Sequence, residues 1–399
     1  MTSPVYLLLQ IKRYTEQVLM WPFVAYGRLR ASREPSITAY DLVCFFPGYA
    51  LGGAEKVHAD VVDCFPDKRI LIYFTRRSAN DKMLHLFQRE GVTIRDISAW
   101  TDNKYKYWQN FIWRGICAGL IARQKNKPVV FSGQCNFGYK VLPHLPTGVR
   151  KVELIHVAEK KFSWITFPFI GLIDQRVMIS DIIIQRALHF YRSIGVPTKY
   201  DQRIQKIINH TELPPDVPVR TYTDPLKVYY AGRGGYPKRL YLLMEVVRKS
   251  KQLNLPIEFH FAGSIADEIP AELTKEIIYH GELQGGEAMR TLHQKMDILF
   301  MSSASEAFPM LIMEAMANGV VVISTSVGGI PEHIHTGNNG LLVTAEDENA
   351  IVDELLHALQ ELSRDREQIK RLAEASRQYA FNYFGKKPFC EGYRKVLFG

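Results

Sequence analysis

Two carboxylates eight residues apart, Glu306 and Glu314, are the side chains of this sequence best suited to chemistry. Glu314 lies in the run Pro309-Met-Leu-Ile-Met-Glu-Ala-Met-Ala317, where every other residue is apolar. Pro309 suits the first turn of a helix and Gly319 its end, so the run reads as a short helix. Apolar on every side, that helix is expected to be buried. A carboxylate buried without donors carries a steep cost, so Glu314 needs partners, and the hydroxyls of a ligand would serve. Glu306 sits in the loop entering the same helix, after the strand-like run Asp297-Ile-Leu-Phe-Met301. Acids at a strand-to-helix junction stand where open α/β sheets bind ligands.

Four further patterns point the same way. In Gly48-Tyr-Ala-Leu-Gly-Gly-Ala-Glu55, Gly52 and Gly53 would let an anion approach the N–H groups of a helix N-terminus; glycines there also serve turn geometry alone. In Ala231-Gly-Arg-Gly-Gly-Tyr-Pro-Lys238, Arg233 offers a bidentate fork and Lys238 a point charge to a diphosphate; the bland alternative is two solvated surface cations. His156 closes the apolar strand Lys151–His156 and is expected at a ligand-facing strand end, or else satisfied by backbone. Val327-Gly-Gly-Ile-Pro-Glu332 is a turn that brings a further acid.

The elements needed to hold these residues alternate along the chain. Strands are expected at 40–46, 69–74, 128–131, 151–156 and 176–179, with another run at 201–208. Leu213-Pro-Pro-Asp-Val-Pro218 reads as a linker. The alternation restarts at 226–231 and continues through 257–261, 277–279, 297–301 and 320–324. Such order implies parallel sheets with right-handed crossovers. The C-terminal stretch from about 350 is expected to be helical, broken at Gly385–Pro388. The domains are expected as an N-terminal extension over 1–36, a first Rossmann-like domain over 37–215, a second over 216–376 and a final helix over 377–399.

Composition sets the class. The chain has 399 residues, 47% hydrophobic and 23% charged, which suits a two-domain globular protein. No apolar stretch approaches the ~20 residues of a membrane span, and the N-terminus does not read as a signal peptide. Five scattered cysteines without a CxxC read as reduced thiols of a cytoplasmic protein, with neither disulfide framework nor zinc site. Residues 1–200 carry 28 Lys and Arg against 15 Asp and Glu, and the remainder 22 against 26. A basic first half suggests an anionic surface as partner, nucleic acid or membrane. Residues 1–36 mix Val5–Leu9, Trp21 and Tyr26 with Lys12, Arg13, Arg28, Arg30 and Arg33, which fits a membrane interface or a helix packed on the protein itself. Pro22 is expected to interrupt that helix.

Together the segments Ser305–Gly319, Val327–Glu332 and Gly337-Asn-Asn-Gly-Leu-Leu342 resemble glycosyltransferase family 4, the retaining GT-B enzymes with a Glu-x7-Glu motif. The Gly52-Gly53 loop, the Arg233 to Lys238 spacing, and Asn209 at a strand end before the linker fit the same family, over residues 40–399. The resemblance implies two doubly wound Rossmann-like domains facing across a cleft, with a C-terminal helix crossing back to the first. It implies that Glu314 accepts from the ribose hydroxyls, Glu306 contacts the donor sugar, Arg233 and Lys238 neutralise the diphosphate, and His156 lies beside the donor sugar. Gly52, Gly53, Asn209, Ala307 and Phe308 join the donor site. No metal or cofactor is expected, since two cations hold the diphosphate and no Asp-x-Asp motif is present.

The sequence departs from the family at Gly234-Gly235 and Arg239, at Ala307-Phe308-Pro309 where Gly-Phe-Gly is common, and at His210 after Asn209. Pro309 lacks an N–H for the donor sugar. The basic aromatic stretch carrying Lys104, Lys106, Trp108, Trp113 and Arg114 is assigned to the acceptor or membrane side; a solvated helix with a buried aromatic face is the alternative. The function expected is transfer of a sugar from a nucleotide-sugar donor to a glycan or lipid-linked glycan, in cell-surface polysaccharide or glycolipid synthesis, at or near an anionic membrane surface and without nucleic acid. The alternatives are a sugar-nucleotide epimerase and a non-catalytic nucleotide- or membrane-binding protein.

Overall fold

The computed structural model describes residues 4–34, 38–157, 165–216, 220–283 and 285–399. The Val217-Pro218 end of the expected linker lies outside them. The chain divides into two compact units, Met1–Ile207 with Cys390–Gly399, and Ile208–Phe389. Each is built on one wholly parallel sheet.

The first sheet holds β1 (Leu42–Phe46), β2 (Ile70–Phe74), β3 (Val92–Asp96), β4 (Val129–Gly133), β5 (Lys151–Ile155), β6 (Gln175–Met178) and β7 (Ile204–Lys206). Their order is β3-β2-β1-β4-β5-β6-β7. The second holds β8 (Leu226–Ala231), β9 (Ile257–Ala262), β10 (Ile277–Tyr279), β11 (Ile298–Met301), β12 (Val321–Thr325) and β13 (Leu341–Val343), in the order β10-β9-β8-β11-β12-β13. In both sheets the chain moves outward on one side, then returns to the other side of the first strand. That makes two doubly wound, Rossmann-like units with switch points between β1 and β4 and between β8 and β11. Every residue of β1, β2, β4 and β12 is buried, as strands covered on both faces require. Each Val, Ile or Phe so buried stabilises its unit by about 1.5–3 kcal/mol.

The C-terminus is helical, as expected, but in three pieces: Glu348–Arg364, Arg366–Tyr383 and Lys386–Phe398. Asp365 caps the second piece by accepting from the N–H of Gln368, a break that apolar periodicity does not reveal. Pro388 lies inside the third piece, at its third residue, where a missing N–H is tolerated.

Two expectations fail in the first unit. The N-terminal segment is one 29-residue helix, Pro4–Ser32, running through Pro22. It packs on the helix Tyr107–Ala122, and glycines carry the crossing. A Cβ at Gly27 would stand 2.1 Å from the carbonyl oxygen of Ile112, and one at Gly115 would stand 2.1 Å from that of Val24. Tertiary packing therefore holds the helix across the proline. Secondly, Cys64 and Cys390 form a disulfide within the first unit, 326 residues apart. Spacing along the chain cannot show that the end of the helix Gly53–Asp63 meets the last helix. Cys44, Cys117 and Cys135 are free and buried. A buried ion pair, Arg176 with Glu153, ties β6 to β5.

Candidate functional site

In the second unit the loops that follow β8 and β11 flank the switch point, and they hold each other. The Ala304 N–H donates to the Pro237 carbonyl at 2.7 Å. Arg239, buried and in the left-handed region (φ 50°), donates from Nε to the Ser302 carbonyl at 2.7 Å and from Nη2 to that of Ser303 at 3.0 Å. Ser302 returns its hydroxyl to the Arg239 carbonyl at 2.9 Å. A guanidinium that satisfies two carbonyls at a strain-prone position fixes both loops. Arg239 appeared in the sequence only as a departure from the family pattern; its role is the contact itself.

On this clamp the charged groups meet. Lys238 Nζ lies 2.5 Å from Glu306 Oε1, which also accepts from Ser303 Oγ at 2.7 Å. The lysine side chain is 27% exposed and the carboxylate 11%. Arg233, in the same loop, is exposed and has no ion pair among the described residues. Gly235 donates its N–H to Glu268 Oε1 at 2.6 Å, so an acid from beyond β9 fixes the glycine turn. Gly328 (φ 59°) passes so close that a Cβ there would stand 1.6 Å from the Glu306 carbonyl oxygen, and Gly329 donates to the Ala307 carbonyl at 2.7 Å. The turn Val327–Glu332 thus supports the backbone of Glu306.

Glu314 corrects the expectation of a buried, partnerless carboxylate. Its helix, Met310–Ala317, starts after Pro309 and ends before Gly319 (φ 65°). Ile312, Met313 and Ala315–Ala317 are buried, but the Glu314 side chain is 37% exposed. Its Oε2 lies 3.5 Å from Nε2 of His293, which is buried on the helix Gly285–Lys295. Tyr229 of β8 hydrogen-bonds the other ring nitrogen, Nδ1, at 2.6 Å. Burial, then the Glu314 charge, pushes the Tyr229 hydroxyl well up, so it stays protonated beside the ring. His293 and Tyr229 lie far from Glu314 in sequence, and no spacing signals them.

Phe308 is 5% exposed, its ring tilted against His333 at 4.3 Å between centroids and against Phe384 at 5.6 Å. Its side chain belongs to the core, which corrects its placement as a donor-facing group; only its backbone remains for that role. Ala307 beside it is half-buried. Asn209 is buried and its Oδ1 has no partner among the described residues.

In the first unit, Gly52 caps the helix Gly53–Asp63 without a side-chain bond, and Gly53 is exposed. His156 follows β5 and lies 3.0 Å, Nε2 to Nε2, from His58 of that helix. Gln134, from the loop after β4, accepts from the His156 N–H at 3.0 Å and so holds this loop. Neither His58 nor Gln134 stood out in the sequence, because each works only across the sheet. Burial pushes the His156 imidazole down to about 4; burial, then repulsion from His156, holds His58 well below the usual range. Both rings are neutral near neutral pH, one donating and the other accepting.

That depression has a sign. Between the unfolded value near 6.5 and about 4, the unfolded chain binds the proton that folded His156 refuses, so stability falls as pH drops through that window. Unfolding free energy followed from about neutral pH downward is expected to decline more steeply for wild type than for His156→Gln. Parallel curves would contradict the assignment.

Residues 225–361 match the family model described as glycosyl transferases group 1. This is the segment that carries Arg233, Lys238, Glu306 and Glu314. A D-inositol 3-phosphate glycosyltransferase of Corynebacterium urealyticum is 35% identical over 113 residues, 28% of this chain and 26% of that one. An N-acetyl-alpha-D-glucosaminyl L-malate synthase of Bacillus anthracis is 30% identical over 102 residues, 26% of each. The chain thus spans about a quarter of the length of these curated relatives. HepE of Anabaena, solved in complex with UDP and glucose, aligns with TM-score 0.69 over 90% of this chain and 99% of that one, at 14% identity. That likeness is one of fold.

Outside the group 1 glycosyltransferase segment, the acceptor-side assignment divides. Lys104, Lys106 and Trp108 are exposed. Trp113 is half-buried against Trp100, with ring centroids 5.2 Å apart. Arg114 is 2% exposed and pairs with Glu16 at 2.8 Å, which corrects its placement on an acceptor-facing surface. It sits inside the crossing with the N-terminal helix, where a long basic side chain needs an acid.

Proposed function

We propose that this chain is a retaining, metal-independent glycosyltransferase of family 4 that moves a sugar from a nucleotide-sugar donor to a glycan or lipid-linked glycan in cell-surface polysaccharide or glycolipid synthesis. The observation that carries the reading is the Lys238–Glu306 pair beside exposed Arg233 at the switch point, with Glu314 next along the chain. A diphosphate arriving there meets a guanidinium fork, an ammonium and the N–H groups that begin the helix Leu240–Gln252. Those two cations supply the charge that a metal supplies elsewhere. Glu314 keeps its carboxylate open, with one oxygen 3.5 Å from His293 Nε2, which leaves acceptors for ribose hydroxyls.

In the transfer, the bond between the sugar's anomeric carbon and the diphosphate oxygen breaks, and its electron pair leaves on the diphosphate. Arg233 and Lys238 stabilise that growing charge. The acceptor hydroxyl forms the new bond on the same face, and its proton passes to the departing phosphate oxygen. Glu306, already bonded to Ser303 and Lys238, is positioned by both to meet the sugar hydroxyls.

The test is a panel of UDP- and GDP-sugars with the purified full chain, with and without chelator, reading nucleoside diphosphate release and the anomeric configuration of the product. One sugar nucleotide is expected to turn over, unaffected by chelator and with configuration retained. Binding without any turnover would overturn the enzymatic reading, and an inverted product the retaining one.

A further inference from the structure

The helix Pro4–Ser32 is apolar on two opposite sides. Its inner side, with Tyr6, Leu9, Val24, Gly27 and Ala31 buried, packs within the first unit. At 100° per residue, Ile11, Val18 and Leu29 fall within about 20° of one another on the opposite side. They are 52%, 57% and 51% exposed. Leu8, Leu19 and Trp21 flank them and are more than 60% exposed. A monomer in water rarely keeps so continuous an apolar face uncovered.

The charges around this face have one sign. Lys12 and Arg30 share one border of it and Arg28 stands on the other; all three are exposed. Within the helix the only carboxylate, Glu16, turns inward to Arg114. No helix of the described residues is long and apolar enough to cross a membrane. We propose that this outer face docks on an anionic lipid bilayer, the helix lying along the interface with its leucines and Trp21 in the acyl boundary and its cations at the headgroups. A second copy of the chain is a poorer occupant, because a two-fold pairing of this face brings its uniformly positive border against itself. The proposal does not depend on the glycosyltransferase reading.

Flotation of the full chain with phosphatidylcholine vesicles, with and without about one third phosphatidylglycerol, tests it. The chain is expected to float with the anionic vesicles and to be released by salt. The double variant Ile11→Ser/Val18→Ser should bind about tenfold more weakly or less. Lys12→Gln and Arg30→Gln should each cost about fivefold. All four positions are exposed, so circular dichroism and melting temperature should match wild type and confirm intact variants. Absence of flotation, flotation unchanged by the variants, or a concentration-dependent dimer dissolved by Ile11→Ser/Val18→Ser without vesicle binding would each overturn the proposal.

Discussion

Lys238→Ala is expected to lower kcat for sugar-nucleotide turnover by about 10²–10³-fold, the loss typical of removing one preorganised group from a developing oxyanion. Two effects add. The leaving diphosphate loses a cation, and the Glu306 carboxylate, only 11% exposed, loses the ammonium 2.5 Å away and faces the diphosphate with its charge uncompensated. Glu306→Ala removes the repelling partner, so its loss comes from the sugar contact alone. The double variant should therefore be less impaired than the product of the two single losses, with a coupling of about 0.5–3 kcal/mol. Steady-state kinetics on the four proteins measure it. Strict multiplicativity, or an unimpaired Lys238→Ala, would separate the pair from the reaction.

Gly328→Val is expected to act from behind the site. Its φ of 59° disfavours a branched side chain, and the new Cβ would stand 1.6 Å from the Glu306 carbonyl oxygen, a backbone atom that cannot swing aside. Glu306 must move with its loop. A displacement near 1 Å costs on the order of 10²-fold in rate, with a stability loss of about 1–3 kcal/mol from crowding. Gly337→Val is the control: its φ is 79°, but a Cβ there meets nothing within 4 Å. It should share the backbone strain, seen as a lower melting temperature, and keep kcat/KM. Equal kinetic losses in both would mean that the Gly328 contact does not position Glu306.

The sheets were readable because parallel strands covered on both faces are continuous apolar runs, as Leu42–Phe46 and Val321–Thr325 show. Two strands escaped notice for physical reasons. β3 reads Val-Thr-Ile-Arg-Asp, four residues half-buried and the last exposed at a sheet edge, and β13 has three residues. The charged groups at the switch point could be placed from loop position alone, since the strand order puts the ends of β8 and β11 side by side. What supports them could not. Arg239 clamps carbonyls more than sixty positions away, His293 turns towards Glu314 from another helix, and Gln134 reaches His156 across the sheet. Glu314 shows the limit of composition: an eight-residue helix with only apolar neighbours still opens one side to solvent at its single carboxylate. Arg114 shows the converse, a basic residue in an aromatic stretch that turns inward because Glu16 waits there.

The most direct test of the central claim is calorimetric titration of UDP, GDP and their nucleosides into wild type and into Arg233→Ala/Lys238→Ala. One diphosphate is expected to bind the wild type and to lose about two orders of magnitude in affinity in the variant, with its nucleoside unaffected. A diphosphate that binds both proteins equally, or none that binds the wild type, would contradict a nucleotide-sugar site at the β8–β11 switch point.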